Sequence, residues 1–366
     1  MNDLNFDELK SIIEINSWTK NKIGVDKNGE VFASWLKDLG YSLDTYTREE
    51  IGNHLHFKSL SREGKKLLLL GHLDTVFPPN TFEGFREDEE WIYGAGVCDM
   101  KGGNFVALEA LRNIKKNQDI YNIDFLLVSD EETGSDDSKY LSSKLAKDYD
   151  YCMVFEASGA DDEVVIGRKG VGTFFIEIEG KASHAGNHYS KGVDANLELS
   201  YKLQALVSLT DLEKETTVNV GKIEGGIGAN TISPKAKMTF ELRYTNIEER
   251  DRVLNSIDEI VNKSFVAGSK ATLSGGIQRD VMQPSPNQQE FIEKINAFCD
   301  VKLPTEKRGG VSDANIISSQ GVATLDGFGP YGDGDHTIEE RASKQSFTDR
   351  IELVSNIFEG FLEGKI

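Results

Sequence analysis

The chain has 366 residues, more than the roughly 250–300 over which a single hydrophobic core usually grows, so we expect two domains. Its composition, 38% hydrophobic and 28% charged, is typical of a globular protein and excludes a disordered or fibrous one. The formal net charge of −20 repels phosphate backbones and anionic lipid surfaces, which argues against nucleic-acid partners and against binding to a membrane surface.

Signals for export or for disulfide bonds are missing from this sequence. Residues 1–8 are acidic and contain no apolar signal region, and no stretch of about 18 apolar residues predicts a transmembrane helix. The three cysteines, Cys98, Cys152 and Cys299, are too few and too scattered for a disulfide framework. We therefore expect a cytoplasmic protein.

In chain order, the first part of the sequence alternates between helical and strand patterns. Apolar residues at helical spacing over the N-terminal segment predict helices that cover a surface and end at Gly40. Further on, three apolar runs predict buried strands, and a helix is predicted after Ser138. The predicted strands are 67–70, 123–128 and 151–155, with a helix at 104–114. This alternation predicts a largely parallel sheet covered by helices.

From about Gly167 the pattern changes. Residues 173–179 and 238–244 alternate between apolar and polar with period two, as half-exposed antiparallel strands do. Further segments complete the order β-α-β-β-α-β, which predicts a ferredoxin-like module. These are helices at 196–209 and 248–261 and strands at 217–223 and 271–273.

After Pro284 the α/β pattern returns, with helices predicted at 288–299 and 350–362. The chain is therefore predicted to form an α/β fold with a mostly parallel sheet, into which a ferredoxin-like α+β domain is inserted. The predicted boundaries are 1–167 and 281–366 for the main domain and 168–280 for the inserted domain.

The strongest chemical signal follows the first predicted strand. The leucine run at 67–70 leads directly into Gly-His-Leu-Asp, so His72 and Asp74 follow at the carboxyl end of a buried strand. Open α/β sheets place their ligands at this end of their strands. An imidazole and a carboxylate in this position are competent to bind a metal ion.

Two acidic motifs follow. Asp99 lies in Gly-Ala-Gly-Val-Cys-Asp-Met-Lys-Gly-Gly, where the glycines allow close backbone approach and a carboxylate can bridge two cations. Glu131 and Glu132 come just after the strand predicted at 123–128. Adjacent carboxylates point in different directions, so one can bind metal while the other accepts a proton from metal-bound water.

Two more candidate ligands complete the set. Glu156 directly follows the strand predicted at 151–155, and His336 lies in the polar, glycine-rich loop Gly-Asp-Gly-Asp-His-Thr. Together with the residues above, they can hold two metal ions. A carboxylate-rich calcium module is disfavoured, because two histidines among the ligands suit zinc or cobalt better than calcium.

These motifs, in this order, resemble the di-zinc aminoacylase and carboxypeptidase metallopeptidases of peptidase family M20. The resemblance rests on Gly-His-Leu-Asp-Thr, the Asp99 motif, Asp-Glu-Glu-Thr-Gly, Phe-Glu-Ala, Gly-Lys-Ala-Ser-His-Ala-Gly and the late Asp-His, and it covers nearly the whole chain. Within the family, the sequence most resembles the bacterial glutamate carboxypeptidases.

The resemblance implies a bound pair of zinc ions, for which cobalt can substitute. His72 and Glu156 would hold one ion, Glu132 and His336 the other, and Asp99 would bridge them.

The resemblance also implies roles beside the metal ions. Asp74 would hydrogen-bond the second ring nitrogen of His72, and Glu131 would be the general base for a metal-activated hydroxide. It further implies a cis peptide bond between Asp99 and Met100.

The inserted domain is implied to contribute substrate contacts and to form a homodimer. His184 would reach across the dimer and stabilise the developing oxyanion. Asn230 and Arg279 would bind the α-carboxylate of the substrate, and Gly310 belongs to a loop on the substrate side.

The sequence therefore predicts hydrolysis of the amide bond before a C-terminal amino acid, with a small peptide as substrate. The alternative is an N-acyl-amino-acid deacylase of the acetylornithine or succinyl-diaminopimelate type, since both reactions need a clamp for a substrate carboxylate. From a different class, a binding protein that has lost catalysis is disfavoured because every expected ligand and the base are present.

Overall fold

The computed structural model describes residues 4–366, which form two compact units. The first unit comprises the described residues up to Gly167 together with Pro284–Arg308 and Ser312–Ile366. The second comprises Arg168–Gln283 and Gly309–Val311. Among residues 4–366, no helix combines the length and the apolar character that crossing a bilayer requires.

The first unit is built on a six-stranded mixed sheet. Four neighbouring strands of this sheet run parallel to one another. An antiparallel hairpin of two strands extends the sheet on one side. In spatial order the strands are Ser42–Tyr46, His54–Lys58, Ile123–Val128, Leu67–His72, Tyr151–Val154 and Ala323–Leu325. The prediction of a largely parallel main sheet is thus confirmed, with the hairpin as an addition that the sequence pattern did not indicate.

Helices of the first unit cover this sheet. Lys101–Lys115 packs against the C-terminal helix Lys344–Leu362, and both turn apolar side chains into one large core. Ser343 caps the C-terminal helix by accepting a hydrogen bond from the backbone N–H of Ser346. The helices of this unit are Asp7–Ile13, Lys22–Asp38, Lys101–Lys115, Ser138–Ala146, Pro286–Cys299, Ala314–Ser318 and Lys344–Leu362.

Short strands form two smaller sheets beside the main one. They were not predicted, because strands of two to five residues carry too few residues for a period to show. One sheet has the order Gly332–Asp333, Arg341–Ser343, Trp91–Tyr93 and Arg86–Glu87, and the other pairs Thr305–Arg308 with Val164–Arg168.

The second unit has the order β-α-β-β-α-β of a ferredoxin-like fold, with four antiparallel strands. Alternate residues of its strands are buried against two helices, as in Lys235–Tyr244. The strands in spatial order are Thr217–Gly225, Lys235–Tyr244, Gly170–Glu179 and Lys270–Arg279, and the helices are Ala195–Val207 and Ile247–Asn262.

The buried ammonium of Lys202 links the two helices of this unit. The ammonium of Lys202 lies 3.0 Å from a carboxylate oxygen of Glu198 and donates to the carbonyls of Ile260, Val261 and Lys263 at the end of the second helix. This cation therefore satisfies carbonyls that a helix C-terminus leaves without partners.

The division of the chain differs in two places from the predicted boundaries. Residues 281–283 and 309–311 belong to the second unit rather than to the first. The backbones of Arg168 and Met282 exchange two hydrogen bonds, of 2.9 and 3.1 Å. The side chain of Arg168 also donates to the carbonyl of Gly310. These non-local contacts extend the unit beyond what the strand periodicity indicates.

Candidate metal centre

Three neighbouring parallel strands bring the candidate ligands to one edge of the main sheet. Leu67–His72 lies between Ile123–Val128 and Tyr151–Val154, and all three run in the same direction. His72 is the last residue of the central strand, and Glu156 comes two residues after the end of the strand Tyr151–Val154. Because the carboxyl ends of parallel strands meet at one edge, side chains from separate segments converge there.

A first group of ligand atoms is formed by His72, Asp99 and Glu156. Their ligand atoms lie within 4.8 Å of one another. The Nε2 atom of His72 is 3.0 Å from Oδ1 of Asp99 and 3.9 Å from Oε1 of Glu156. His72 is almost fully buried, so its ring is surrounded by protein atoms rather than by solvent.

A second group contains Asp99, Glu132 and His336, again within 4.8 Å. The Nε2 atom of His336 is 3.2 Å from Oδ2 of Asp99 and 3.2 Å from Oε2 of Glu132. The two oxygens of Asp99 therefore face different histidines. This is the arrangement in which one carboxylate can bridge two cations.

The ring of His72 is oriented through its second nitrogen. Its Nδ1 lies 3.0 Å from the backbone carbonyl oxygen of Asp74 and 3.4 Å from Oδ1 of the same residue. The family resemblance implies a hydrogen bond between this nitrogen and the side chain of Asp74, but the backbone carbonyl of Asp74 is the nearer acceptor. The other carboxylate oxygen of Asp74 accepts hydrogen bonds from Thr19 and from the backbone N–H of Glu132, and so connects both ligand groups.

Two buried asparagines support the same strand end, and the sequence did not indicate either of them. Asn104 donates to the carbonyl of His72 over 2.7 Å, and Asn28 donates to the carbonyl of Leu73 over 2.9 Å. Both lie in helices, where a buried amide among apolar residues was the available signal. They hold the backbone beyond the sheet, where strand pairing ends.

Burial and crowding of acids shift the pKa values of the carboxylates. Burial, reinforced by the charge of Asp99, raises the pKa of Glu132 to about 8 and raises that of Glu156. At Asp99, hydrogen bonds from His336 and His72 outweigh burial and lower the pKa. Glu132 and Glu156 thus each lie close to the carboxylate of Asp99, and a bound cation would offset the repulsion between these acids.

The histidines supply part of that positive charge. Hydrogen bonds with Asp99 and then Glu132 raise the pKa of His336 to about 11. At His72, burial alone would lower the pKa, but hydrogen bonds with Asp74 and Asp99 raise it. A metal ion would replace these protons, because histidine and carboxylate bind metals in their deprotonated forms.

Glu131 lies beside both groups without belonging to either. It opens the short 3₁₀ turn Glu131–Thr133, and its charge contributes to the raised pKa of Glu132 and of Glu156. The turn ends at Gly134, whose φ of 103° belongs to the left-handed region that favours glycine. Glu132 thus belongs to one of the two ligand groups, whereas its neighbour Glu131 belongs to neither.

The backbone at Asp99 also matches expectation, since the peptide bond between Asp99 and Met100 is cis.

The remaining predicted residues lie in the second unit. The Nδ1 atom of His184 accepts hydrogen bonds from the backbone N–H groups of Gly186 and Asn187, each 3.2 Å long. The carbonyl of Asn230 accepts from the backbone N–H of Ala185, so the His184 and Asn230 segments are adjacent. The ring of His184 therefore carries its proton on Nε2 when it is neutral.

Arg279 and Gly310 also belong to this unit. Arg279 is the last residue of Lys270–Arg279 and is buried, with 5% of its surface exposed. The carbonyl of Gly310 accepts a hydrogen bond of 3.1 Å from Arg168.

Comparison with known proteins agrees with this architecture. Residues 68–360 match the model of peptidase family M20/M25/M40. Carboxypeptidase G2 from Pseudomonas sp. is 29% identical, covering 90% of this chain and 82% of that protein. Succinyl-diaminopimelate desuccinylase from Coxiella burnetii is 26% identical over 93% of this chain and 96% of that protein. The crystal structure of aminopeptidase PepT from Bacillus cereus has a TM-score of 0.79 at 22% identity, with 96% of each chain covered, and shares the fold.

Proposed function

The chain belongs to peptidase family M20/M25/M40, a family of metal-dependent peptidases and amidohydrolases, and we propose that it hydrolyses the amide bond before a C-terminal amino acid. The supporting observation is the pair of ligand groups that share Asp99. The similarity to carboxypeptidase G2, which extends over 90% of this chain, favours carboxypeptidase activity.

The donor set fits two zinc ions. Each group offers one imidazole nitrogen and carboxylate oxygens, the combination that zinc and cobalt accept. We assign His72 and Glu156 to one ion, Glu132 and His336 to the other, and Asp99 to both. When bound, such ions polarise the scissile carbonyl and lower the pKa of the attacking water.

Glu131 is the general base in this proposal. It is buried beside both ligand groups, and its carboxylate accepts the proton of the attacking water and can return it to the leaving amine. Asp74 acts as a positioning residue, because it contacts His72 and the backbone of Glu132 at once.

His184 stabilises the negative charge that develops on the carbonyl oxygen. Two backbone N–H groups occupy its Nδ1, so Nε2–H is the donor that the neutral ring presents. Arg279 and Asn230 bind the α-carboxylate of the substrate, for which a guanidinium offers a planar pair of donors, and Gly310 lies on the substrate side.

The second unit also forms a homodimer in this proposal, and His184 serves the metal centre of the partner. Thr217–Gly225 is an edge strand of the sheet, so its outer backbone groups are open to pairing. Leu197 and Tyr201 on one helix of this unit, and Ile223 on the edge strand, are exposed apolar side chains. Such a surface is suited to burial against a second copy of the chain.

A second candidate is an N-acyl-amino-acid deacylase, favoured by the likeness to succinyl-diaminopimelate desuccinylase over 93% of the chain. A substrate panel with zinc-loaded protein separates the two. Folate-like, α-glutamyl and γ-glutamyl substrates should release glutamate, while N-acetyl and N-succinyl amino acids should be much slower. The reverse order would establish the deacylase, and hydrolysis of neither class would refute both.

A further inference from the structure

We propose that Glu340 is a positioning residue that holds the bridging carboxylate and the His336 loop in register, and thereby sets the affinity for the second metal ion. This inference rests on the metal centre of the proposed function. Glu340 matches none of the ligand positions above, but it lies directly behind the Asp99 loop.

The carboxylate of Glu340 satisfies three backbone N–H groups of one loop. Its Oε2 accepts from Gly96 over 2.9 Å, and its Oε1 accepts from Cys98 over 2.9 Å and from Asp99 over 3.1 Å. Only 1% of the surface of Glu340 is exposed. This buried carboxylate therefore binds backbone N–H groups more than 240 residues away in sequence, including the N–H of Asp99 itself.

The backbone of Glu340 also forms hydrogen bonds, one to the start of the same loop and one to the turn around His336. Its carbonyl accepts from the N–H of Gly94, and its N–H donates to the carbonyl of Thr337 over 3.2 Å. Thr337 in turn donates to Gly334 through its N–H and its hydroxyl. One residue therefore connects the tight turn that carries His336 to the loop that carries Asp99.

The turn around His336 leaves little room for adjustment. Gly334 has a φ of 77°, and a Cβ atom there would lie 2.7 Å from the carbonyl oxygen of Glu339. By contrast, His72 ends one paired strand and Glu156 follows another by two residues, and the hydrogen bonds of the Glu340 carboxylate go to the Asp99 loop instead. The group of Asp99, Glu132 and His336 should therefore depend on Glu340 more strongly than the group of His72, Asp99 and Glu156.

The Glu340→Gln substitution tests this with almost no change of shape. The amide oxygen can still accept from Cys98 and Asp99, but the amide NH₂ group would face the N–H of Gly96, donor against donor. Replacing a residue that orients a metal ligand typically lowers the metal affinity by about 10- to 100-fold. Glu339→Gln, at the exposed neighbouring position, is the matched control.

The measurement is zinc stoichiometry and affinity, by elemental analysis and calorimetry on the full chain, with circular dichroism to verify folding. Wild type and Glu339→Gln should bind two ions. Glu340→Gln should bind the first with an affinity within about threefold of wild type, and the second 10- to 100-fold more weakly. Its turnover should recover when free zinc is raised by the same factor, while KM stays nearly constant.

Two equally tight ions in folded Glu340→Gln would overturn the proposal. Glu340→Asp, which keeps the charge but shortens the reach, provides a second test and should weaken the second ion as well. If neither variant folds, Glu340 is a determinant of folding rather than of ligand position, and the proposal fails. If wild type itself binds fewer than two ions, the metal centre of the proposed function fails and takes this inference with it; if metal binds as described but no amide is hydrolysed, only the proposed function fails.

Discussion

Replacing Glu131 by glutamine separates metal binding from proton transfer. Glu131 is buried and lies outside both ligand groups, so an isosteric amide should leave the ligand atoms of His72, Asp99 and Glu132 in place. The amide cannot accept a proton from the attacking water. We therefore expect two bound metal ions in Glu131→Gln and a severe loss of turnover.

The magnitude follows from the size of general base catalysis. A positioned base contributes about 10²- to 10⁴-fold, which corresponds to about 2.7–5.5 kcal/mol of transition-state stabilisation. In the proposed function the substrate carboxylate is bound by Arg279 and Asn230 and not by Glu131, so kcat and kcat/KM should fall by similar factors. An effect of this size is far above the scatter of a steady-state assay.

The assay is turnover of a C-terminal glutamyl substrate at saturating zinc, with metal content measured on the same samples. Glu132→Gln is the matched control, because the adjacent carboxylate belongs to a ligand group and its loss should release one ion. If Glu131→Gln lost zinc, or kept more than about a tenth of wild-type turnover, the assignment of Glu131 as the base would be refuted.

Arg279→Ala should lower kcat/KM for free-acid substrates by roughly 10- to 150-fold, the equivalent of a charge-assisted bond of about 1.5–3 kcal/mol, and should hardly affect an amidated substrate; equal effects on both would contradict its role. His184→Ala should reduce turnover at unchanged metal content, whereas His188→Ala in the same loop should not, and mixed dimers of His184→Ala with Glu131→Gln should regain activity if the site is shared between subunits. Confirmed heterodimers without recovery would place His184 in its own chain's site. Burial lowers the pKa of His56, so the unfolded chain binds the proton first, and stability should decline as pH falls below about 6.5. His56→Gln should therefore lose less Tm between pH 7.5 and 5.5 than wild type, and an identical loss would show that His56 does not contribute.

Part of the candidate site could be predicted because His72, Glu132 and Glu156 follow recognisable strands, whereas Asp99 and His336 were identified by the glycine-rich motifs around them. The apolar runs before His72 and Glu156 were long enough to show their strands, and the structure brings those strand ends together. Which strands are neighbours was not readable, since pairing is decided by contacts between distant segments. The hairpin of Ser42–Tyr46 and His54–Lys58 was not predicted, because the buried residues His54 and His56 are polar and so interrupt the apolar pattern of a buried strand.

The residues that support the ligands could not be predicted individually. Asn104 and Glu340 act through backbone groups that lie 32 and more than 240 residues away in sequence, and a lone polar residue in a helix or loop gives no indication of such a partner. Likewise, the nearest acceptor for the Nδ1 of His72 is a backbone carbonyl. Sequence motifs identify the atoms that can bind metal, whereas the fold determines what orients them.

The central claim is that one carboxylate joins two metal sites, and anomalous diffraction at the zinc edge from zinc-loaded crystals tests it most directly. We expect two peaks about 3.5–4 Å apart, one beside His72 and Glu156, the other beside Glu132 and His336, with Asp99 bound to both. A single peak, or two peaks that Asp99 does not bridge, would contradict it.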